Sequence, residues 1–437
     1  MSRRLIFWSV TSALAGFLFG FDTVVISGAE KTIQGLWNLS PKTHGLAMGA
    51  ALWGTVVGSL IGGIPTDRFG RRPTLIAVGA LYLVSAVWSA LATDVTAFAA
   101  ARLIGGLGVG ISTVAAPLFI SEIAPAAHRG KLAGMFQFNI VLGILVAFAS
   151  NAAIARFVVG DGWRWMLGVE AVPALIYTAL AWTLPESPRW LVGRGRSRDA
   201  AAVLRRSEPE IAPEEVESRI ADFDRGSAGR RVDGRSLLTR RYRFAVSIAF
   251  LVAFFNQMSG INAVLYFAPR IFELTGLEQK AALLQSIGIG VTNLIFTFLG
   301  VWLIDRVGRR TLLIVGSIGY IASLGATAWA FATETYAIVP ACIFAFIAAH
   351  AVGQGAVIWV LISEIFPDAV RAAGQSLGSF THWIFAAAIT SLFPTVVTSF
   401  APSVVFAFFA GMMVLQLVWV LAMVPETKGV PLEELRV

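Results

Sequence analysis

The sequence predicts an all-α membrane protein: twelve transmembrane helices in two pseudo-symmetric six-helix halves, with a cytoplasmic helical insert between them. Three observations carry this expectation. Of the 437 residues, 57% are hydrophobic and 14% charged, where a soluble chain carries about 25% charged residues, and the mean hydropathy is +0.74. The apolar residues fall into twelve runs, each near the ~20 residues that span a bilayer. Three short polar motifs also occur twice at an almost constant separation.

The first run, 6–28, follows a basic start, "MSRRLIFWSVTSALAGFLFGF". It imitates a secretory signal, but no small-x-small cleavage site ends it and it is long enough to span. It therefore reads as the first transmembrane helix. Runs at 45–65, 73–92, 96–120, 131–153 and 164–184 follow. Many contain glycine, which lets membrane helices pack closely. The stretch 186–243 is different: "RSRDAAAVLRRSEPEIAPEEVESRIADFDR" reads as an amphipathic, water-facing helical insert. Runs at 244–268, 282–304, 311–331, 338–362, 371–394 and 401–424 complete the set. The expected division is 1–186, 187–242 and 243–437.

Arginine placement sets the orientation. Arg68, Arg71 and Arg72, the Arg-rich insert, and Arg306, Arg309 and Arg310 fall on one side if the helices alternate, whereas the loops at 92–96 and 394–401 carry one charge or none. The positive-inside rule puts the insert and both termini in the cytoplasm, as in a multi-pass protein of the cytoplasmic (inner) membrane. "DRFGRRP" at 67–73 returns 238 positions later as "DRVGRRT"; "SEIAPAAHRG" at 121–130 returns after 242 as "SEIFPDAVRA"; "PESPR" at 185 is echoed after 240 by "PETKG". A six-helix unit has been duplicated in the same orientation, the parallel-repeat plan of secondary transporters, with a substrate site between the halves near the midplane.

Other classes are disfavoured. The net charge of +8 sits in a few short loops, as membrane topology requires, so a nucleic-acid partner is not expected. Walker A, C-x-x-C and G-x-S-x-G signatures are absent, and no nucleophile, base or metal cluster converges in the apolar runs. An enzyme, a metal and a cofactor are therefore not expected. The single cysteine, Cys342, excludes an internal disulfide.

The motifs carry a resemblance. "GFDTVVISGA", "DRFGRRP", "SEIAPAAHRGKL", "DGWRWM", "PESPRWL", "NQMSGINAVLYFAP", "DRVGRRTLL", "WVLISEIFP" and "PETKG" occur in that order along the whole chain. It resembles the sugar porter family of the major facilitator superfamily. The resemblance implies the major facilitator fold, alternating access and a sugar-like substrate, without fixing the sugar.

Asp22 interrupts an otherwise uncharged run from Leu5 to Gly28. A carboxylate in a bilayer costs about 2.5–3.5 kcal/mol on insertion scales and is usually paired and functional. Asp22 lies about six residues, roughly 9 Å, from the outer end of helix 1, and Arg102 lies equally deep in helix 4, so the two are expected to pair. The functional reading is a proton switch: separation from Arg102 lets Asp22 take up a proton. In the resembling family an Asp at this position accompanies proton coupling, and Asn accompanies facilitators. The competing reading is a static pair that orders helices 1 and 4.

A sugar offers hydroxyls that both donate and accept, which neutral amides match. The seventh run supplies Asn256, Gln257, Asn262 and Tyr266. Gln257 and Asn262 are about 140° apart on an ideal helix, and Gly260 is expected to loosen the helix so that both reach one cavity. Gln137, Asn293, Trp359 and Trp383 match sugar-contacting or motif positions of the resembling family. The alternative for the amides is interhelical glue, and for Trp359 helix packing. Three departures bear on substrate identity: Asn256-Gln257 replaces a usual Gln-Gln, Gly355-Ala356 replaces Gly-Pro and is expected to remove a kink, and His382 stands where Asn or Gln is common. His382 could bond a hydroxyl, accept a proton or pack.

Near the cytoplasmic ends, Asp67, Arg71, Arg72, Glu122, Arg129, Glu186 and Arg189 are mirrored by Asp305, Arg309, Arg310, Glu364, Arg371 and Glu426. They are expected to form a latch that bridges the halves facing outward and breaks facing inward, against the plainer reading of topology plus helix capping. The expected function is import of a monosaccharide, hexose or pentose, by proton symport. Its partners are the sugar, the proton as coupling ion and the bilayer, and a monomer is expected. The alternatives are a facilitator with Asp22–Arg102 as a structural pair, and a non-transporting sugar sensor, against which the short tail after the last run argues.

Overall fold

The computed structural model describes residues 2–125, 128–158, 160–228, 237, 239–367 and 370–428. Among these residues every regular element is helical. In the first half, helix 1 is Arg3–Val25, helix 2 Pro41–Ile61, helix 3 Arg71–Leu91, helix 4 Val95–Ile123 and helix 5 Arg129–Phe157. Helix 6 is split into Gly162–Gly168 and Ala171–Ala181. In the second half, helix 7 comprises Arg243–Met258, Ile261–Tyr266 and Ala268–Glu273. Helix 8 is Gln279–Val307, helix 9 Arg309–Ala332, helix 10 Val339–Val352 plus Gln354–Glu364, helix 11 Arg371–Ser399 and helix 12 Pro402–Met423. Eleven of these spans are individually long and apolar enough to cross a membrane. The sixth is not among them: it is broken at Val169–Glu170 into segments of 7 and 11 residues.

Local chemistry starts the helices where the sequence allows. The Ser2 hydroxyl accepts from Leu5 N and the Ser40 hydroxyl from Thr43 N, and Asp94 Oδ1 accepts from both Thr96 N and Ala97 N at 2.9 Å. Each satisfies N–H groups that a helix start leaves open.

The insert is helical, with Pro188–Gly193, Ser197–Ser207 and Pro213–Ala228. Its apolar side is not free: Leu191, Val192, Ala200 and Val203 share a core with Leu5, Leu75 and Phe119 of the first half, and Arg206 covers the Trp8 ring.

Within the first half, helix 1 packs on helix 5 and helix 2 on helix 4; across the halves, helix 2 packs on helix 11 and helix 5 on helix 8. The helix 2–11 seam is a backbone contact, since a Cβ on Gly45 would lie 1.9 Å from Ser391 O. The apolar core is continuous across both halves at the end holding Val24, Ile33, Phe148 and Trp163. At the opposite end, where the D-R-x-G-R-R loops lie, the first half has a separate core. The apolar packing between the halves is thus concentrated at one end.

Helix 7 breaks as expected: Gly260 is left-handed, with φ 82°, a conformation open to glycine at little cost. Helix 10 corrects the sequence reading. The absence of proline after Gly355 does not straighten it. The break sits at Gly353 (φ −86°, ψ −100°), whose Cα packs against Gly316 so closely that a Cβ would lie 2.8 Å away.

Candidate functional site

Asp22 and Arg102 meet as the sequence suggests, each 1% exposed. Arg102 Nη1 donates to Asp22 Oδ1 at 2.5 Å, and Nη2 donates to Asp22 O at 3.0 Å and Oδ2 at 3.3 Å. The fork grips both the carboxylate and the backbone of helix 1, a geometry that suits guanidinium.

A third ionisable group, which the sequence reading missed, joins them. Glu170, at the break of helix 6, is 1% exposed, interacts with both Asp22 and Arg102, and leaves Oε1 without a hydrogen-bond partner. Its signal was the one that singled out Asp22: an isolated carboxylate in the apolar run 164–184. Two carboxyls therefore face one guanidinium. The Tyr82 hydroxyl, from helix 3, lies within electrostatic reach of Asp22, with Ser112 as a polar neighbour. Tyr266, expected to face a sugar, is buried within electrostatic reach of this trio, so helix 7 brings a second-half residue to a first-half cluster.

The amides converge on Gln257. Its Nε2 donates to Asn256 Oδ1 at 2.9 Å and lies 3.2 Å from the His382 ring nitrogens, and its Oε1 accepts from Asn262 Nδ2 at 2.6 Å. The Gly260 turn cancels the angular separation an ideal helix would impose. His382 stands between Trp359 and Trp383, at centroid distances of 5.1 and 4.8 Å, and Phe19 of helix 1 meets the Trp383 edge at 5.5 Å. Trp359 is 38% exposed. Gln137 is half-buried on helix 5, and Asn293 on helix 8 is 8% exposed and accepts from Thr297. The amides, two indoles and an imidazole thus come together from helices 7, 10 and 11.

The two copies of D-R-x-G-R-R adopt the same structure. Arg71 Nε and Nη2 donate to Glu122 at 2.8 and 2.9 Å, and Arg309 bonds Glu364 at 3.0 and 2.7 Å. Asp67 and Asp305 pair with these arginines one turn away. Arg72 donates to Trp182 O and Arg310 to Leu421 O, closing the ends of helices 6 and 12. Glu186 accepts from the backbone N–H of Arg71 and Arg72, and Glu426 from those of Arg309 and Arg310, so each carboxylate caps a positive helix terminus. Burial pushes the Glu186 carboxyl up from its ordinary value, against the pull of these N–H groups. Gly70 and Gly308 have φ 106° and 99°, and a Cβ there would lie 2.2 and 2.4 Å from the Glu186 and Glu426 oxygens. Every one of these bonds stays within its own half. Arg371 donates to Phe366 O, Arg189 is half-buried on the insert's first helix, and the Arg129 side chain lies outside the described residues.

The opposite end carries bonds between the halves. Arg270 of helix 7 donates to Gln34 Oε1 at 2.9 Å and Glu30 Oε2 at 3.3 Å, both on the short helix Glu30–Leu36. Glu30 also accepts from His44 Nε2 at 2.7 Å, and Lys31 pairs with Glu273. Sequence reasoning missed this group because its members stand outside the spans or at their edges, where charges are unremarkable.

Two duplicated six-helix halves, each holding a buried polar cluster, follow the plan of a secondary transporter. The chain belongs to the sugar (and other) transporter family, which matches residues 8–437. An arabinose-proton symporter of Bacillus subtilis is 36% identical over 98% of this chain and 93% of its own length. The xylose transporter XylE of Escherichia coli in a partially occluded inward-open conformation superimposes with a TM-score of 0.88 at 32% identity, covering 98% of this chain and 100% of its own. The proton:xylose symporter XylE bound to 6-bromo-6-deoxy-D-glucose gives 0.81 at 33% identity, covering 98% of each.

Proposed function

We propose that this protein imports a monosaccharide, hexose or pentose, by proton symport across the cytoplasmic membrane, with the insert and both termini in the cytoplasm. The observation that carries the proposal is the buried Asp22–Arg102–Glu170 cluster. With Arg102 charged, the trio is electrically neutral when it holds one proton, and an uncompensated charge at this depth is costly. Movement of helix 4 or helix 6 against helix 1 changes which carboxyl the guanidinium compensates, and so gates proton entry and release.

The sugar occupies the cavity around Gln257. Its hydroxyls exchange for the mutual bonds of Asn256, Gln257, Asn262 and His382, and its C–H face lies on Trp359. Gln137 and Asn293 approach from helices 5 and 8. Alternating access supplies the rest: Arg270–Glu30 and Lys31–Glu273 hold the outer end shut, while the cytoplasmic arginines bond within their own halves. When the inner end closes, the groups around Glu122 and Glu364 bridge the halves. Neutralising both as Glu122→Gln and Glu364→Gln then shifts the population toward inward-facing, read as a cytoplasmic-side distance between spin labels.

The test of the function is uptake by proteoliposomes of a panel of pentoses, hexoses and polyols under an imposed pH gradient, with and without a protonophore. Accumulation above the external concentration that collapses with the protonophore is the expected result. Equilibration unaffected by it would establish facilitated diffusion instead.

A further inference from the structure

The second half seals one imidazole of the first half into the outer end. His44, in the first turn of helix 2, is 0% exposed. Its Nε2 lies 2.7 Å from Glu30 Oε2, and Arg270 Nη1 of helix 7 donates to the same oxygen at 3.3 Å. Imidazole and guanidinium therefore share one carboxylate oxygen, itself on a side chain only 2% exposed. Phe267 of helix 7, also 0% exposed, meets the ring near its edge, with centroids 6.2 Å apart. Gly45, the next residue, lies at the backbone contact with Ser391 of helix 11. These covers all belong to the second half, so a rotation that parts the halves at this end uncovers the ring. Among the described residues, His44 Nδ1 has no hydrogen-bond partner.

A carboxylate can only accept, so Nε2 carries a hydrogen and, in the neutral ring, Nδ1 carries none. A proton arriving at Nδ1 of the closed form meets two obstacles. It becomes a buried N–H with nothing to donate to, and it sets a second cation against the oxygen that Arg270 already compensates. With the ring neutral, Glu30 and Arg270 cancel; with the ring charged, the closed group is left with a net positive charge. Parting the halves removes Arg270 and lets water reach Nδ1, and it is then the charged ring that balances Glu30. The other ionisable groups around helix 2 do not tip this balance. Lys42, on helix 2 itself, is exposed, and Lys31 pairs with Glu273 of helix 7. Tyr266, also of helix 7, lies with the Asp22 cluster. Helix 4 has no ionisable residue from Val95 to Ala101, and Asp94 at its start is exposed and accepts from Thr96 N and Ala97 N. Helix 11 has none from Trp383 to Ser399.

We propose that His44 is a second proton-binding site, separate from Asp22 and Glu170, and that its occupation opens the outer end. Imidazole is the side chain whose charge changes between about pH 5 and 8. Linkage is reciprocal: opening favours the proton, so the proton favours opening. An acidic exterior thus turns the transporter toward the side that supplies protons. This site rests on the alternating access proposed above, in which the end bearing Glu30 opens; it does not require Asp22 to carry the coupled proton.

The experiment uses the full chain in nanodiscs, with spin labels at Leu36→Cys and Leu274→Cys and with Cys342→Ala. Double electron–electron resonance reads the outer distance at about pH 8 and about pH 5, the two ends of the imidazole range. In this parental background acid raises the ratio of long to short distances by about tenfold, within the usual range of coupling factors. His44→Gln keeps an amide donor for Glu30 and takes up no proton, so most of the response is lost; the remainder belongs to Asp22 and Glu170. His44→Lys carries a fixed charge and shows the long distance already at the higher pH. Asp22→Asn keeps the response that His44→Gln removes. A full parental response in either His44 variant would overturn the second site. So would a parental distance that ignores pH while Arg270→Gln lengthens it, because the end then opens without heeding the proton. If neither acid nor Arg270→Gln lengthens the distance, the alternating-access reading fails and the proton site falls with it.

Discussion

Arg270→Gln releases the outer end of the molecule. Arg270 reaches across the halves to Glu30 at 3.3 Å and Gln34 at 2.9 Å, with side-chain exposures of 23% for Arg270 and 2% for Glu30. A hydrogen bond to a charged group contributes about 1.5–3 kcal/mol, and partial solvent access on the arginine side favours the middle of that range. Glu30 and His44 lie on the same half and stay bonded whichever way the halves rotate, so only the outer-closed state loses the arginine. A loss of about 2 kcal/mol changes the closed-to-open ratio by about 30-fold. Leu36 and Leu274 are 54% and 44% exposed, one on each side of the seam. Spin labels at Leu36→Cys and Leu274→Cys, with Cys342→Ala, report the separation by double electron–electron resonance. Arg270→Gln transfers population to a longer distance, and Glu30→Gln does so to a lesser degree. An unchanged distance distribution in Arg270→Gln would refute the idea that these bonds keep the outer end shut.

Asp22→Asn removes the charge that Arg102 compensates; counterflow exchange continues while uphill accumulation under a pH gradient is lost. Persistent accumulation would exclude Asp22 from coupling. Gln257→Ala deletes the hub of the amide cluster and raises the transport KM by about tenfold or more, the effect of at least one neutral hydrogen bond to the sugar; unchanged affinity would show that the amides are interhelical glue. Gly70→Ala forces a side chain into a backbone region reserved for glycine, at a cost of about 1–3 kcal/mol, and drives its Cβ onto Glu186. The melting temperature falls, and a stable variant would show that the cap on helix 3 is dispensable.

The parts fixed by the bilayer were legible in the sequence. Spans announce themselves because lipid admits only long apolar helices, and Asp22 and Arg102 stood out because nothing near them in sequence is charged. Glu170 satisfied the same test and was passed over, although "GVEAVP" places one acid in the sixth run. The break in helix 10 was misjudged because proline is only one cause of a kink. The cause here is a glycine pressed against another helix, and a contact between helices leaves no local pattern. Arg71 and Arg309 were placed in one network with the acids around them, but neither which acid each bonds nor that all their bonds would stay within one half was foreseen. That depends on which end of the molecule is open, a property of the conformation.

The proton cluster draws its charges from helices 1, 4 and 6, and the amide hub is built from helices 7 and 11. In the proposed mechanism the first half thus holds the proton and the second half supplies most of the sugar's partners, Gln137 of helix 5 being the exception. On that reading the two passengers are coupled where the halves meet. Tyr266 and the Phe19–Trp383 contact lie on that seam. Damage at either site should stop the machine. Damage at the seam should instead let it run while it slips, moving protons without sugar or sugar without protons.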